Sequence, residues 1–373
     1  MIRTYKRKLI LNDTQTKRIN SWLGACRVVY NLGLEIKEAG YRAGIPVSVY
    51  DLSRQMTELR KQISWIEDVP HQCLKEALFT LDLTYKNFYK TYKKGGGFPK
   101  YAKKRKFKSI KFKEVLSVTE KTIRLSKIGS LNFFKDERIL GVIKTASIVK
   151  EPTGYFVCIQ CENVPPKFVS ENQAIGLDMG LSHFCIDSSG NFIANPKHFK
   201  KYERQLRIEN RALSRKEKGS NSWRKQCKKI ALLHHKIGNV RKDFLHKETT
   251  KIAKQNSVVY LEDLNIKGMV RSNLSKHILD AGWGMFKTML EYKTNVVKIN
   301  PAYTSQTCNE CGTKDSKSRI SQSEFCCTSC GYISNADVNA AKNILSKGIA
   351  LGRKREPLGC ALALKPMNTG MSR

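Results

Sequence analysis

PAYTSQTCNECGTKDSKSRISQSEFCCTSCGYISNADVNAAKNIL, Pro301 to Leu345, holds two Cys-x2-Cys pairs and runs straight into the start of a helix. Cys308 and Cys311 form the first pair, Cys327 and Cys330 the second, with fifteen residues between them. Four thiolates at this spacing close a tetrahedron about one zinc ion, each pair supplying one knuckle. Gly312 and Gly331 follow the pairs and suit a tight turn that aims backbone amides at the sulfurs. Two disulfides or four free thiols are the competing readings. With no secretory signal legible, reduced thiols and zinc are expected instead. Cys326 adjoins the second pair, but its gap to Cys330 is wrong, so Cys327 is expected as the ligand. In the helix that follows, Ser334 or Asn335 can act as cap and Asp337 falls in the first turn. An acid there also suits the positive end of the helix dipole. Asp337 therefore acquires a chemical reading only if other acids are found at strand ends.

Two are found upstream. Ala174–Leu181 (AIGLDMGL) reads as an apolar strand carrying Asp178, followed by a hairpin over His183–Asp187 and Asn191–Ile193 that turns at Ser189-Gly190. Ser257–Leu264 (SVVYLEDL) is a second buried strand, ending in Glu262 and Asp263. Between them lies a long helical pair, Phe199–Lys218 and Trp223–Asn256, broken at Gly219-Ser220-Asn221. His234, His235 and His246 on the second arm suit a polar or packing face better than a metal site. A helix over Trp283–Tyr292 and a strand over Val296–Pro301 lead into the ribbon. An ionised carboxylate on a buried strand is costly unless a cation neutralises it. Three carboxylates brought to one edge of such a sheet could hold two Mg²⁺ ions and serve phosphodiester hydrolysis.

The first half has a different character. Ile2–Leu11 reads as a basic strand, Asn12 opens a helix, and further helices are expected over Asp51–Ile63 and His71–Lys94. In the last of these, Leu74, Leu78, Leu81, Tyr85, Phe88 and Tyr92 repeat on one side and are expected to be core. Gly95-Gly96-Gly97-Phe98-Pro99 breaks the bundle. Lys100–Lys113 then sets Lys103, Lys104, Arg105, Lys106 and Lys108 among Tyr101, Phe107, Ile110 and Phe112. Cations interleaved with aromatics suit a phosphate backbone, on a strand expected to begin after Arg105. Short alternating runs from Glu114 to Asn163 predict an antiparallel sheet or small barrel that the first strand completes. Cys158 and Cys161 sit inside that strand pattern, lack a partner pair, and read as structural.

The chain has 373 residues, 68 Lys plus Arg against 32 Asp plus Glu, and a net charge of +36. So large a surplus, spread along the chain, points to a nucleic-acid partner rather than a membrane patch. No apolar run approaches a membrane span.

The motifs GLDMGLSHF (Gly176–Phe184), YLEDLNIKGM (Tyr260–Met269), FKTMLEYK (Phe286–Lys293), YTSQTCNECG (Tyr303–Gly312), FCCTSCG and ADVNAAKNI together resemble the TnpB (OrfB) family of insertion-sequence proteins, relatives of type V CRISPR effectors. RVVYNLGL, LKEALFTLDLTYKNFY and GGGFPKY resemble its first half. The resemblance implies an α/β multidomain protein: a wedge-like barrel (1–11 and 98–166), an inserted helical recognition bundle (12–97), a RuvC-type, RNase-H-like nuclease domain (167–302 and 334–350), an inserted zinc ribbon (303–333) and a flexible tail (351–373). It implies Asp178, Glu262 and Asp337 as a Mg²⁺-binding nuclease triad, with Cys308, Cys311, Cys327 and Cys330 on structural zinc. It further implies a prokaryotic, cytoplasmic, nucleoid-associated RNA-guided DNA endonuclease, with a transposon-end guide RNA and a double-stranded DNA target read beside a short flanking motif. The alternative is a transposon-associated DNA- or RNA-binding regulator, or a transposase accessory protein, that does not cut. Cys326 departs from the family pattern and leaves the second knuckle open.

Overall fold

A computed structural model of the chain describes residues 2–165, 168 and 174–353. Contacts divide the chain into two units, residues 1–165 with 227–232 and residues 166–226 with 233–373.

The first unit begins with β1 (Arg3–Ile10) and α1 (Asp13–Arg42) and continues through α2 (Val49–Gln62), α3 (Ser64–Glu67) and α4 (His71–Thr91). Its remaining strands are β2 (Ser109–Phe112), β3 (Ser117–Val118), β4 (Thr122–Leu125), β5 (Gly129–Phe133), β6 (Val142–Glu151) and β7 (Gly154–Glu162). Asn12 caps α1 in a reciprocal box with Gln15, and Ser48 does the same for α2 with Asp51. The strands form one antiparallel sheet in the order β2-β6-β7-β1-β5-β4-β3. β1 is its seam: Arg3–Lys8 pair with β7, while Leu9 and Ile10 pair with β5. Trp22, Leu34, Leu74, Leu78, Phe112 and Ile159 are all fully buried in the shared core of helices and sheet.

Two expectations need correcting here. Lys104–Lys106 form a turn, closed by the Lys106 amide on the Lys103 carbonyl at 2.8 Å, and the strand starts only at Ser109. From Ser109 to Phe112 the alternation does form a strand, with Lys111 exposed and Ile110 and Phe112 turned into the core, so those two cannot stack on bases. On α4, Leu74, Leu78, Leu81 and Tyr85 are buried, but Tyr92 is half exposed and Phe88 partly so. The apolar stripe outruns the core it covers.

The second unit contains β8 (Ile175–Asp178), β9 (His183–Asp187), β10 (Phe192–Ala194), α5 (His198–Ser214), α6 (Asn221–Gln255), β11 (Val258–Glu262), α7 (Ile266–Met269), α8 (Ser275–Ala281), α9 (Trp283–Glu291) and β12 (Asn295–Ile299). A ribbon with β13 (Glu324–Cys326) and β14 (Ile333–Asn335) precedes α10 (Ala336–Arg353). The five-stranded sheet has the order β10-β9-β8-β11-β12, antiparallel as far as β8 and parallel from β8 to β12. Phe184, Leu245, Val259, Leu261, Phe286 and Leu290 fill the core on one face. Lys293, also buried, spans α9 to α6, donating to the His246 carbonyl and to the Thr249 and Thr250 hydroxyls at 2.7–2.9 Å. The short helices α7 and α8 have no clear periodic signature in the sequence. α10 runs to Arg353, past the expected domain end at 350, and the rest of the expected tail lies outside the described residues.

Candidate active site and metal centre

The site is built from the alternation of two parallel strands. Leu177 pairs with Leu261, so the next residues, Asp178 and Glu262, stand level at the carboxyl ends of β8 and β11. Side chains alternate along a strand, so Gly176 shares a face with Asp178, and Tyr260 shares one with Glu262. α10 packs on that face. A Cβ on Gly176 would come within 2.4 Å of the Ala341 carbonyl oxygen, so only glycine lets the helix approach this closely. Gly348 of α10 lies against the Tyr260 ring in the same way. Asn335 caps α10 by accepting from the amides of Asp337 and Val338 at 3.0 and 3.3 Å. Asp337, in the first turn, is thereby carried over the two strand ends.

Asp178, Glu262 and Asp337 consequently line one cavity of about 320 Å³, with Thr304, Arg319 and Gln322 on its other sides. Burial is the main force on Asp178, reinforced by Glu262 and then Asp337, and it pushes the carboxyl up to about 7 against the pull of Arg319. Glu262 is also raised by burial, opposed by the Thr304 hydroxyl, which donates to Glu262 Oε1, and by Lys347. Arg319 donates to Asp337 Oδ1 at 3.1 Å. Gln322 donates to the Ser182 hydroxyl at 3.1 Å, tying the ribbon loop to the β8–β9 connection. Carboxylates that share one cavity, with a single arginine paired to Asp337, are a set that a divalent cation would relieve. Asp263, one residue on, is exposed and bound to Lys287 at 2.7 Å, outside the cavity lining.

The sulfurs of Cys308, Cys311, Cys327 and Cys330 all lie within 4.8 Å of one another, the one such set of potential metal ligands among the described residues. The three carboxylates are more widely spaced. Cys308 Sγ is 3.7 Å from Cys330 Sγ, and Cys311 Sγ is 3.6 Å from Cys327 Sγ. An ion bound tetrahedrally at about 2.3 Å from each sulfur needs edges of roughly 3.8 Å, whereas a disulfide needs about 2 Å. The spacing fits a tetrahedral metal. Gly312 and Gly331 take φ of +73° and +70°, and their amides return to the carbonyls of Cys308 and Cys327, each at 3.0 Å. Cys326 sits in β13 opposite Ile333, outside the cluster.

The ribbon is anchored to α10 by two buried asparagines of that helix. Asn339 and Asn343, four apart and buried, both donate to the Thr307 carbonyl at 2.8 and 2.6 Å. Asn343 also holds the Thr304 carbonyl at 3.0 Å, and the Asn339 side chain accepts from the Asn309 amide. Two asparagines at helical spacing on an apolar face were the available signal. For Thr304 and Arg319 there was none, because their partners lie 42 and 18 residues away.

Elsewhere, Lys103, Lys104, Arg105, Lys106 and Lys108 are all exposed on the turn before β2. His234 is exposed, His235 bonds Asn239, and His246 bonds Tyr292, so these histidines gather no ligand set. Cys158 and Cys161 carry no disulfide.

A family model described as "Probable transposase" matches residues 156–273, one described as "Cas12f1-like, TNB domain" matches 283–344, and a "Helix-turn-helix domain" model matches 1–45. The chain is 31% identical to "Putative RNA-guided DNA endonuclease InsQ" of Escherichia coli (strain K12), over 94% of this chain and 93% of the other. The chain belongs to the TnpB (OrfB) family. A Streptomyces pristinaespiralis protein named "Putative RNA-guided DNA endonuclease" is 30% identical over 93% of this TnpB-family chain and 90% of its own. "CRISPR-associated endodeoxyribonuclease Cas12f1" of Sulfoacidibacillus thermotolerans is 31% identical over 46% of this chain and 45% of its own. Among solved structures, "Structure of the mini-RNA-guided endonuclease CRISPR-Cas_phi3" aligns at a TM-score of 0.48 and 11% identity, over 94% of this chain and 93% of that one. The residues matched by the helix-turn-helix model form β1 and the single long helix α1 in this TnpB-family chain. No helix among the described residues is long and apolar enough to cross a membrane.

Proposed function

We propose that this chain is an RNA-guided DNA endonuclease that hydrolyses phosphodiester bonds at the acidic cavity. The observation that carries the proposal is the convergence of Asp178, Glu262 and Asp337, from two parallel strands and one helix, on a single cavity. Membership of the TnpB family and the names of its near-full-length relatives support it. The strand order, three antiparallel then two parallel, suits an RNase-H-like, RuvC-type domain over residues 167–302 and 334–350, with 303–333 inserted as a zinc ribbon. On this reading 1–11 and 98–166 form a wedge-like barrel and 12–97 a recognition bundle.

Asp178, Glu262 and Asp337 would hold Mg²⁺, which when bound supplies an activated water and relief of charge on the departing oxygen. Asp178 must lose its proton before it can ligate, because burial favours its neutral form. Thr304 holds one oxygen of Glu262 by donating to it and leaves the other available. Arg319 neutralises Asp337 until a cation or phosphate competes for the same space. Cys308, Cys311, Cys327 and Cys330 would hold structural Zn²⁺, fixing the ribbon that carries Arg319 beside the carboxylates. Lys103, Lys104, Arg105, Lys106 and Lys108 would contact phosphates of a transposon-end guide RNA or of the double-stranded target. Base pairing would read the target and protein contacts a short flanking motif.

The test uses guide RNA, a matched duplex and Mg²⁺, with EDTA as control. Asp178→Ala, Glu262→Ala or Asp337→Ala should each abolish cleavage and leave target binding in place. A wild type that binds the target but never cuts, across varied flanking sequences, would overturn the nuclease reading in favour of a non-cutting regulator.

A further inference from the structure

The first unit contains a cavity of about 1120 Å³, larger than the acidic one, between the end of α1 and the second half of α4. Its walls are aromatic to a degree that packing does not explain. Tyr41 is 85% exposed, Tyr89 61% and Phe98 48%. Phe98 follows the Gly95-Gly96-Gly97 break and is held edge-on by Tyr85 and Phe88, with centroids 5.7 and 5.3 Å away. The deepest charges are already committed. Lys37 donates to the Val47 carbonyl at 2.8 Å, and Asp82 lies 3.9 Å from Lys37 and 2.9 Å from Lys86. Glu38 in the wall and Arg42 at the rim complete the polar lining. Beyond the rim, the surface next along the chain is basic: Lys90 and Lys93 at the end of α4, then Lys100, Lys103, Lys104, Arg105 and Lys106, all exposed.

Aromatic side chains that remain largely exposed, with Arg42 and Lys86 in the lining and Lys90 beside Tyr89, are the two parts of a single-strand nucleic-acid site: stacking for the base and charge for the backbone. A carboxylate would be misplaced against phosphate, but Glu38 can accept a hydrogen bond from a ribose 2′-hydroxyl, which DNA lacks. We infer that this cavity holds an unpaired nucleotide of RNA, its base stacked on Tyr41 and Tyr89, its ribose toward Glu38 and its phosphates toward Arg42 and Lys90. The inference rests on the RNA-binding half of the proposed function and is independent of cleavage.

The test is binding of a 12-nucleotide single-stranded RNA carrying one 2-aminopurine to the full-length chain, in buffer without Mg²⁺. The aminopurine fluorescence should be quenched on binding. Tyr41→Ala with Tyr89→Ala should relieve the quench and weaken binding about fivefold to a hundredfold, with the salt slope unchanged, because stacking releases no counterions. Tyr89→Trp should keep the quench. Glu38→Gln should lessen the preference for RNA over the same sequence as DNA. Unchanged affinity and fluorescence in the double variant would overturn the inference. So would equal binding of the DNA strand, or a dimer that sediments as monomer only after Tyr41→Ala, which would make a second copy the occupant. Because Asp178→Ala reads cleavage alone, failure of the nuclease reading and failure of this one give different results.

Discussion

At the scale of single residues, Asp178 is the most informative side chain in the molecule. Its carboxyl stands near 7 in the folded chain against 3.8 when unfolded, with burial as the first cause. A raised acid binds its proton more tightly in the native state, so its share of stability is complete below about pH 4 and lost as pH rises toward 7. Asp178→Asn should therefore stabilise the Mg²⁺-free protein at pH 8 by about 2 kcal/mol, since the open cavity screens part of the shift, and the gain should shrink on titration to pH 5. Calorimetry in Mg²⁺-free buffer without chelator at the two pH values checks this; an equal gain at both would remove the carboxyl's titration as the cause. Thr304→Val should push Glu262 further up and move the acid limb of the cleavage–pH profile to higher pH, without changing target affinity. The acids themselves were readable because charges on apolar strands stand out from their context. Thr304 and Arg319 were not, since a hydroxyl or guanidinium in a polar loop looks like any other until folding brings its partner near.

At the scale of elements, α10 determines whether the carboxylates meet. Gly176→Ala would drive a methyl into the Ala341 carbonyl and Leu345 amide, both under 3.0 Å from the new Cβ, and backbone cannot turn aside as a side chain can. Lifting α10 off β8 should cost roughly 1–3 kcal/mol in the melt and abolish cleavage while zinc content stays normal. Asn343→Ala would leave the buried Thr304 carbonyl unpaired, at a cost of about 1–3 kcal/mol, and loosen the loop that steadies Glu262. Cys308→Ser or Cys330→Ser should lower bound zinc and increase hydrogen exchange around Asp337, whereas Cys326→Ser should do neither. Metal analysis finding no zinc in wild type would end this account of the ribbon. The helices with good caps and strong periodicity, α1 and α2 among them, were legible in sequence. The strand expected after Arg105 was legible except for its start, because alternating Lys and Phe satisfies the strand pattern even where the backbone turns before Ser109.

At the scale of the whole molecule, the +36 charge is distributed over both units, and the exposed turn at Lys103–Lys106 is one concentrated part of it. Replacing these four cations with Ala should leave the melting temperature unchanged and lower the slope of log affinity against log salt by up to about 4. Unchanged affinity and slope would show that the turn is only a connection. Composition made the partner class legible, but it could not show which cations stay free of ion pairs, because that depends on folding. Arg3, Lys6 and Arg7 illustrate this: each is paired with an acid on β6 or in the segment before it, at Glu137, Glu151 or Asp136. They sit on β1, the seam of the seven-stranded sheet, whose partners Phe133 and Cys161 lie more than 120 residues further along the chain. A ribosome adding about 5–20 residues per second needs roughly six to thirty seconds to reach them. Through that interval β1 waits on the nascent chain without its partners, and four cations in eight residues disfavour its joining a wrong edge.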